Sequence, residues 1–153
     1  MGCRNRAGWT KSFGYPLNVV GVADGRVFVT KALFSGQPQT IETFAAAVAA
    51  DTGEQLWSFA MPSGSVSPPA VADDRVFFAQ DASTSGGDSL FALDAGSGAV
   101  HWQKPVNTSD APTVFANRIW LAGFGASSYV LQGFDVEDGA RQFLVRLDVS
   151  TAR

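Results

Sequence analysis

The sequence is poor in the residues that cross-link small proteins or hold metals in them. Among 153 residues, Cys3 is the only cysteine and His101 is the only histidine. One cysteine cannot form a disulfide within the chain, and one cysteine with one histidine cannot complete a tetrahedral zinc site. Disulfide-stapled and zinc-stabilised domains are therefore excluded for a single copy of the chain.

Positive charge and long apolar segments are also scarce. The net charge is −3 and no basic run occurs, so nucleic acid is not an expected partner. No apolar run approaches the roughly 20 residues that a membrane-spanning helix requires. No apolar stretch precedes Cys3, and Arg6 stands where a myristoylation signal has Ser or Thr. We therefore expect neither a signal peptide nor a lipid-anchor signal in this chain.

The residues that are abundant are apolar, aromatic and turn-forming. Hydrophobic residues make up 46% of the chain and charged residues 16%, with 16 glycines and 12 phenylalanines. The balance of apolar over charged residues indicates a folded chain rather than a disordered one. The many glycines suit a fold of short strands and tight turns.

Three features recur along the chain with a period in the forties. An aromatic residue closes each unit, with spacings of 48, 45 and 41 residues by subtraction, at Trp9, Trp57, Trp102 and Phe143. A glycine lies four residues before each of the last three, at Gly53, Gly98 and Gly139. Two short apolar segments joined by a polar turn precede each glycine, at 19–29, 69–79 and 113–122. About four short strands in each unit of this length are typical of a β-propeller blade.

The repeat predicts an all-β fold, a partial β-propeller of about three four-stranded antiparallel blades. The predicted units are the tail of a preceding blade at 1–13, blades at 14–60, 61–105 and 106–147, and the start of a truncated blade or a tail at 148–153. Three blades are fewer than the four to eight that usually close a ring. We therefore expect either a longer parent protein or association of copies through their open blade faces.

One segment has the composition of a helix. Residues 44–50 read FAAAVAA, and alanine is the best helix former. The segment aligns with residues 90–95 of the next unit, and tertiary context outweighs propensity. We therefore predict a strand there.

The closing phrase of each unit resembles the tryptophan-docking motif of the quinoprotein family, which includes pyrroloquinoline quinone (PQQ) dehydrogenases and their non-catalytic relatives. That motif reads Ala-x-Asp-x-x-x-Gly-x-x-x-Trp. The second unit matches every position, with Ala92, Asp94, Gly98 and Trp102. The first has Ala47, Gly53 and Trp57, with Ala49 in place of Asp. The third has Asp135, Gly139 and Phe143, with Gly133 in place of Ala.

The resemblance implies that each closing ring docks against a neighbouring blade. A glycine in the turn has no Cβ, so a ring can lie flat on its peptide plane. The aspartate of the motif can accept hydrogen bonds from backbone N–H groups of its own turn. We therefore interpret these ten residues as a structural docking motif.

In the family's enzymes, the resemblance implies PQQ, a catalytic aspartate, calcium held by oxygen ligands and, in many, a vicinal cysteine pair. This chain has a single cysteine, and no motif marks one of its acidic residues as a catalytic base. Asp81 and Asp88 flank a Ser/Gly-rich loop, but they lack the dense oxygen ligands of a calcium loop, so a solvated loop is preferred. We therefore expect no catalytic, cofactor-binding or metal site in this chain.

The leading hypothesis is a non-catalytic propeller segment that serves as a protein-binding scaffold or sensor domain. It predicts no cofactor, and either a protein partner or self-association through open blade edges. The alternative is a fragment of a PQQ-dependent dehydrogenase whose PQQ and calcium site lies outside this chain. A third possibility is a piece without independent function. Only the resemblance suggests a bacterial periplasmic or extracellular setting.

Overall fold

The structure is a computed structural model that describes residues 8–13, 17–35, 40–61, 64–81, 87–106, 110–125 and 128–147. The predictions made for the chain start around Cys3 and for the tail at 148–153 lie outside the described residues, as do residues 82–86 of the Ser/Gly-rich loop between Asp81 and Asp88.

The described residues form thirteen strands and three antiparallel sheets. The strands are β1 (Asn18–Ala23), β2 (Arg26–Ser35), β3 (Thr40–Ala49), β4 (Gln55–Met61), β5 (Ser65–Val66), β6 (Ala70–Ala72), β7 (Arg75–Asp81), β8 (Ser89–Asp94), β9 (Val100–Pro105), β10 (Thr113–Phe115), β11 (Arg118–Gly125), β12 (Ser128–Asp135) and β13 (Arg141–Leu147). The sheets have the orders β1-β2-β3-β4, β5/β6-β7-β8-β9 and β10-β11-β12-β13. The predicted all-β partial propeller of about three blades is confirmed, and the unit boundaries stay a prediction.

The first strand of the second blade is divided into β5 and β6, which both pair with β7. Residues 67–69 between them read Ser-Pro-Pro. Proline has no N–H to donate to a sheet ladder, so it interrupts regular pairing. Ser67 restores part of the connection, because its Oγ accepts a hydrogen bond from the backbone N–H of Ala79 at 2.9 Å.

Tight two-residue turns connect β1 to β2, β6 to β7 and β10 to β11. The residues at these turns have positive φ angles: Asp24, Gly25, Asp73, Asp74, Ala116 and Asn117. Positive φ at both central positions defines the type I′ hairpin, whose twist matches that of the flanking strands. The polar turns that separate paired apolar segments in the sequence are therefore hairpin turns.

The alanine-rich segment 44–50 lies mostly within β3, as predicted. Ala45, Ala46, Ala47 and Val48 are all buried, with at most 1% of each residue exposed. Both faces of this strand are therefore covered. The small side chains suit a strand that other residues approach closely on both faces.

Two hydrophobic cores lie between successive blades. The first contains Phe28 and Trp57 from the first blade with Phe78 and Leu93 from the second. The second contains, among others, Phe77, Leu90, Trp102, Ile119, Leu121 and Phe134. The buried apolar side chains of the blades therefore pack mainly against those of the neighbouring blade. Among the described residues, no helix is long and apolar enough to cross a membrane.

Candidate interaction site

The tryptophan that closes each blade lies on the motif glycine of the following blade. A Cβ added to Gly98 would lie 2.6 Å from Cδ2 of Trp57, and one added to Gly139 would lie 2.8 Å from Cδ2 of Trp102. Both glycines have positive φ, 73° and 67°. A side chain at either glycine would therefore clash with the ring and strain the backbone.

Each of these indoles also donates a hydrogen bond to the turn on which it lies. Nε1 of Trp57 donates to the carbonyl of Ala95 at 2.9 Å, and Nε1 of Trp102 donates to the carbonyl of Val136 at 3.2 Å. Trp57 and Trp102 are each 8% exposed. The ring thus buries its apolar surface while its only polar atom keeps a partner.

Trp9 docks on the first blade in the same way. Its ring covers Gly53, and its Nε1 donates to the carbonyl of Ala50 at 2.8 Å. It remains 38% exposed. This dock is therefore shallower than those of Trp57 and Trp102.

The register of the last two strands of each blade explains why the first residue of the motif is small. Ala47 lies directly opposite Trp57, Ala92 opposite Trp102, and Gly133 opposite Phe143. The ladder register shifts immediately after each pair. A β-bulge of this kind bends the strand locally, and a larger residue beside the ring would occupy space that the ring needs.

The motif aspartates hold their own turns. Oδ1 of Asp94 accepts hydrogen bonds from the backbone N–H groups of Gly96 and Ser97, at 3.1 and 2.7 Å, and from the Ser97 hydroxyl at 2.7 Å. These bonds, that of the Ser97 side chain first, lower the pKa of Asp94. Oδ1 of Asp135 accepts from the N–H of Glu137 at 2.8 Å. Ala49, at the equivalent position of the first blade, cannot accept such bonds.

A recurring arginine links consecutive blades and was not singled out from the sequence. Arg75 follows the hairpin turn of the second blade and donates to the Val136 carbonyl at 3.2 Å and to Glu137 at 2.8 Å in the third. Arg26, at the same position of the first blade, lowers the pKa of Asp94 in the second blade through its positive charge. Arg118 is the third copy, and it donates to Gln142 within its own blade at 2.9 Å. The signal available in the sequence was the arginine immediately after each polar turn.

Among the residues that the structure describes, one face of the third blade is largely uncovered. Register places Trp120 opposite Gly133 and Phe124 opposite Tyr129, which puts them on the face away from the buried Ile119 and Leu121. Several large apolar residues of this blade are exposed: Phe115 (72%), Phe124 (63%), Tyr129 (51%), Leu147 (54%) and Phe143 (41%). An exposed apolar area of this kind is a candidate interaction surface.

The uncovered face has two ends, which we name separately. The turn end comprises Phe115, Arg118, Trp120 and Phe143. The hairpin end comprises Phe124, Tyr129 and Leu147, which are successive partners across β11, β12 and β13. The rings of Phe124 and Tyr129 make an edge-to-face contact with centroids 5.2 Å apart.

The two aspartates considered as calcium ligands lie at the equivalent hairpin end of the second blade. Burial, followed by the charge of Asp81, raises the pKa of Asp88. Within the described ranges, which omit residues 82–86 between them, no group of three or more His, Cys, Asp or Glu side chains could hold a metal ion. His101 is exposed on the outer strand β9.

Comparison with known proteins agrees with this architecture. A family model described as outer membrane protein assembly factor BamB matches residues 5–83 and 45–152. BamB from Moraxella catarrhalis has a TM-score of 0.59 and 22% identity, over 87% of this chain and 48% of that one. No curated protein matches the chain by sequence.

Two quinohemoprotein alcohol dehydrogenases are also similar in fold. The enzyme from Comamonas testosteroni has a TM-score of 0.62 and 19% identity, over 84% of this chain and 20% of that one. The enzyme ADHIIG from Pseudomonas putida HK5 has a TM-score of 0.61 and 18% identity, over 82% of this chain and 19% of that one. The chain thus spans less than half the length of each of these proteins. Because the family model extends over most of the described blades, the chain belongs to the PQQ-like propeller-repeat family of the outer membrane protein assembly factor BamB.

Proposed function

We propose that the chain is a non-catalytic segment of a PQQ-like propeller that binds a protein partner through the hairpin end of its third blade. The observation that carries the proposal is the exposed aromatic pair Phe124 and Tyr129, 63% and 51% exposed. Aromatic side chains are enriched in the energetically important centres of protein interfaces. The family's description as an assembly factor supports a role in protein binding.

Blade-to-blade packing does not account for this pair. Aligning the second and third blades by their register places Asp81 at the position of Phe124 and Asp88 at the position of Tyr129. The second blade, which has a neighbour on both sides, therefore carries acidic residues at this position. Aromatic residues here serve a contact that the repeat itself does not need.

Site-specific photo-crosslinking tests the proposal. A photoreactive residue at Tyr129 of the full chain, expressed in its native cells, should give a discrete protein adduct. Leu56 provides a matched control position, because it is 45% exposed on an outer strand of the first blade. Excess unlabelled chain should reduce the Tyr129 adduct, whereas the Phe124→Ser variant should compete at least tenfold less well because a central aromatic contact is lost.

Equal labelling from Tyr129 and Leu56, or equal competition by the Phe124→Ser variant, would contradict the proposal. The dehydrogenase alternative makes a different prediction. Because its PQQ and calcium site lies outside this chain, it requires saturable absorbance changes when a longer parent protein is titrated with PQQ and Ca²⁺, together with dye-coupled oxidation of an alcohol or sugar. That result would replace the binding function with an enzymatic one.

A further inference from the structure

The turn end of the third blade has the residues that dock the first and second blades on their neighbours. Phe143 occupies the position of Trp57 and Trp102, and its ring contacts Trp120 at 5.4 Å between centroids, as Trp102 contacts Phe77 at 6.0 Å. Phe143 is 41% exposed, whereas Trp57 and Trp102 are each 8% exposed.

Two further residues of the turn end fit the same function. Arg118 corresponds to Arg75, which bonds the following blade. Phe115, opposite Arg118 in the ladder, corresponds to Ala72, which packs against the core shared with the following blade. The turn end therefore has an aromatic ring, a cation and an apolar residue in the arrangement used at an existing interface.

The matching surface is present on the first blade of the same chain. Its motif turn, residues 49–53, has Gly53 at φ 71°, beside 73° for Gly98 and 67° for Gly139. The Ala50 carbonyl is the acceptor in this turn, as Val136 is in the third blade. Asp51 is exposed, and it corresponds to Glu137 of the third blade, because each lies two residues before the glycine of its turn. The turn thus offers a bare glycine, a carbonyl and a carboxylate.

Only a short segment of the described chain covers this turn. Trp9 lies on Gly53 with 38% of its surface exposed, and the same segment is held by a hydrogen bond from Lys31 Nζ to the Phe13 carbonyl at 2.8 Å. The segment occupies the place of a blade without forming one among the described residues 8–13. A complete sheet presenting the same contacts would bury more apolar area than this segment does.

We propose that the turn end of the third blade docks on the motif turn of the first blade of a second copy, where it displaces Trp9. Phe143 of one copy lies on Gly53 of the next, and Arg118 pairs with Asp51. The contact joins two different surfaces, so it is heterologous and produces either a closed ring or an open chain of copies. This inference goes beyond the proposed function, because it concerns the turn end of the uncovered face and not the hairpin end.

Sedimentation velocity over a concentration series of the purified full chain tests the proposal. The wild type should show concentration-dependent association. Trp9→Ser should strengthen association, because it removes the competing ring from Gly53. Phe143→Ser should weaken it at least tenfold, as expected for a central aromatic contact. Leu144→Ser is the matched control, because Leu144 is also 41% exposed and is adjacent on the same strand, and it should change association less than about twofold.

A charge exchange then tests the register of the contact. Asp51→Arg and Arg118→Asp should each weaken association by roughly tenfold, since each replaces an attraction with a repulsion. The double variant should recover most of the loss. Circular dichroism of each variant controls for folding, and a mixture of Phe143→Ser with Asp51→Arg should give a discrete one-to-one complex that uses the single remaining pair of intact surfaces.

A monomer at all concentrations in both the wild type and Trp9→Ser would overturn the inference. So would equal effects of Phe143→Ser and Leu144→Ser, or a double charge variant as weak as the single ones. None of these results would affect crosslinking from Tyr129, which lies at the other end of the face. Failure of self-association and failure of protein binding are therefore distinguishable.

Discussion

Trp102 and Phe143 occupy the same position of the repeat in very different surroundings. Trp102 is 8% exposed, because the third blade supplies Gly139 and the Val136 carbonyl. Phe143 is 41% exposed and contacts Trp120 of its own blade. The comparison shows that the motif does not bury its own aromatic ring. Burial at this position comes from the following blade, so a single blade cannot be the unit of stability.

The largest predicted effect separates these two rings. Trp102→Ala should lower the free energy of unfolding by about 3–5 kcal/mol, the usual cost of removing a large buried aromatic side chain. Phe143→Ala in the same chain should cost less than about 1 kcal/mol, because much of that ring is already exposed. Urea unfolding monitored by circular dichroism, at a concentration where the chain is monomeric, gives both values. Equal losses would contradict the dependence on a following blade.

The glycine beneath a docked ring provides the second prediction. Gly98→Ala should cost about 2–4 kcal/mol, because it combines a clash with Trp57 and an unfavourable positive φ. Gly25→Ala is the matched control, since Gly25 has φ 71° but no atom within 4 Å of an added Cβ. The control should cost about 1 kcal/mol from backbone strain alone. The difference between the variants, measured by thermal and urea unfolding, isolates the ring contact, and no difference would mean that the ring moves aside freely.

The covered face of the third blade contains a polar residue whose replacement should stabilise the protein. Gln132 is fully buried and lies opposite Leu121, and its amide atoms have no hydrogen-bond partner among the described residues. An unsatisfied buried amide costs about 1–3 kcal/mol. Gln132→Met should therefore raise the free energy of unfolding by about 1 kcal/mol or more. Val130→Met on the same strand is the control for added methionine, and a destabilised Gln132→Met variant would indicate a partner for the amide.

The smallest predicted effect concerns pH. The pKa of Asp94 is lowered in the folded state by hydrogen bonds, that of Ser97 first. A lowered pKa means that the group contributes stability above its unfolded pKa, and that this contribution disappears as pH falls through the folded pKa. The stability difference between wild type and Asp94→Asn should therefore be present at pH 7 and shrink below about pH 4. A difference independent of pH would contradict the assignment, and Asp24→Asn serves as the exposed control.

The fold could be predicted because three independent features recur in the same order. The polar turns, the glycines and the closing aromatics each mark the same units. Alignment of these units predicts a strand for the alanine-rich segment, and the structure has it in β3. Agreement among these independent features outweighs the helix propensity of one alanine-rich segment.

The contacts between blades could not be predicted to the same extent. Trp57 and Trp102 each have a glycine four residues before them and another in the next unit, and spacing alone does not say which glycine each ring covers. Exposure of Phe124 and Tyr129 was also hidden, because their apolar runs resemble those of strands covered on both faces. The arginines were visible as a repeated residue, but their partners are side chains and carbonyls of another blade.

The direction of docking has a consequence for synthesis on the ribosome. The three docked indoles, those of Trp9, Trp57 and Trp102, donate to carbonyls that lie 41, 38 and 34 residues later in the chain. Chains emerge from the amino terminus at about 5–20 residues per second. Each newly completed blade therefore exposes its tryptophan for several seconds until the next turn emerges. A translational pause placed within that interval would prolong the exposure, so codon choice after each closing tryptophan should influence the yield of folded protein.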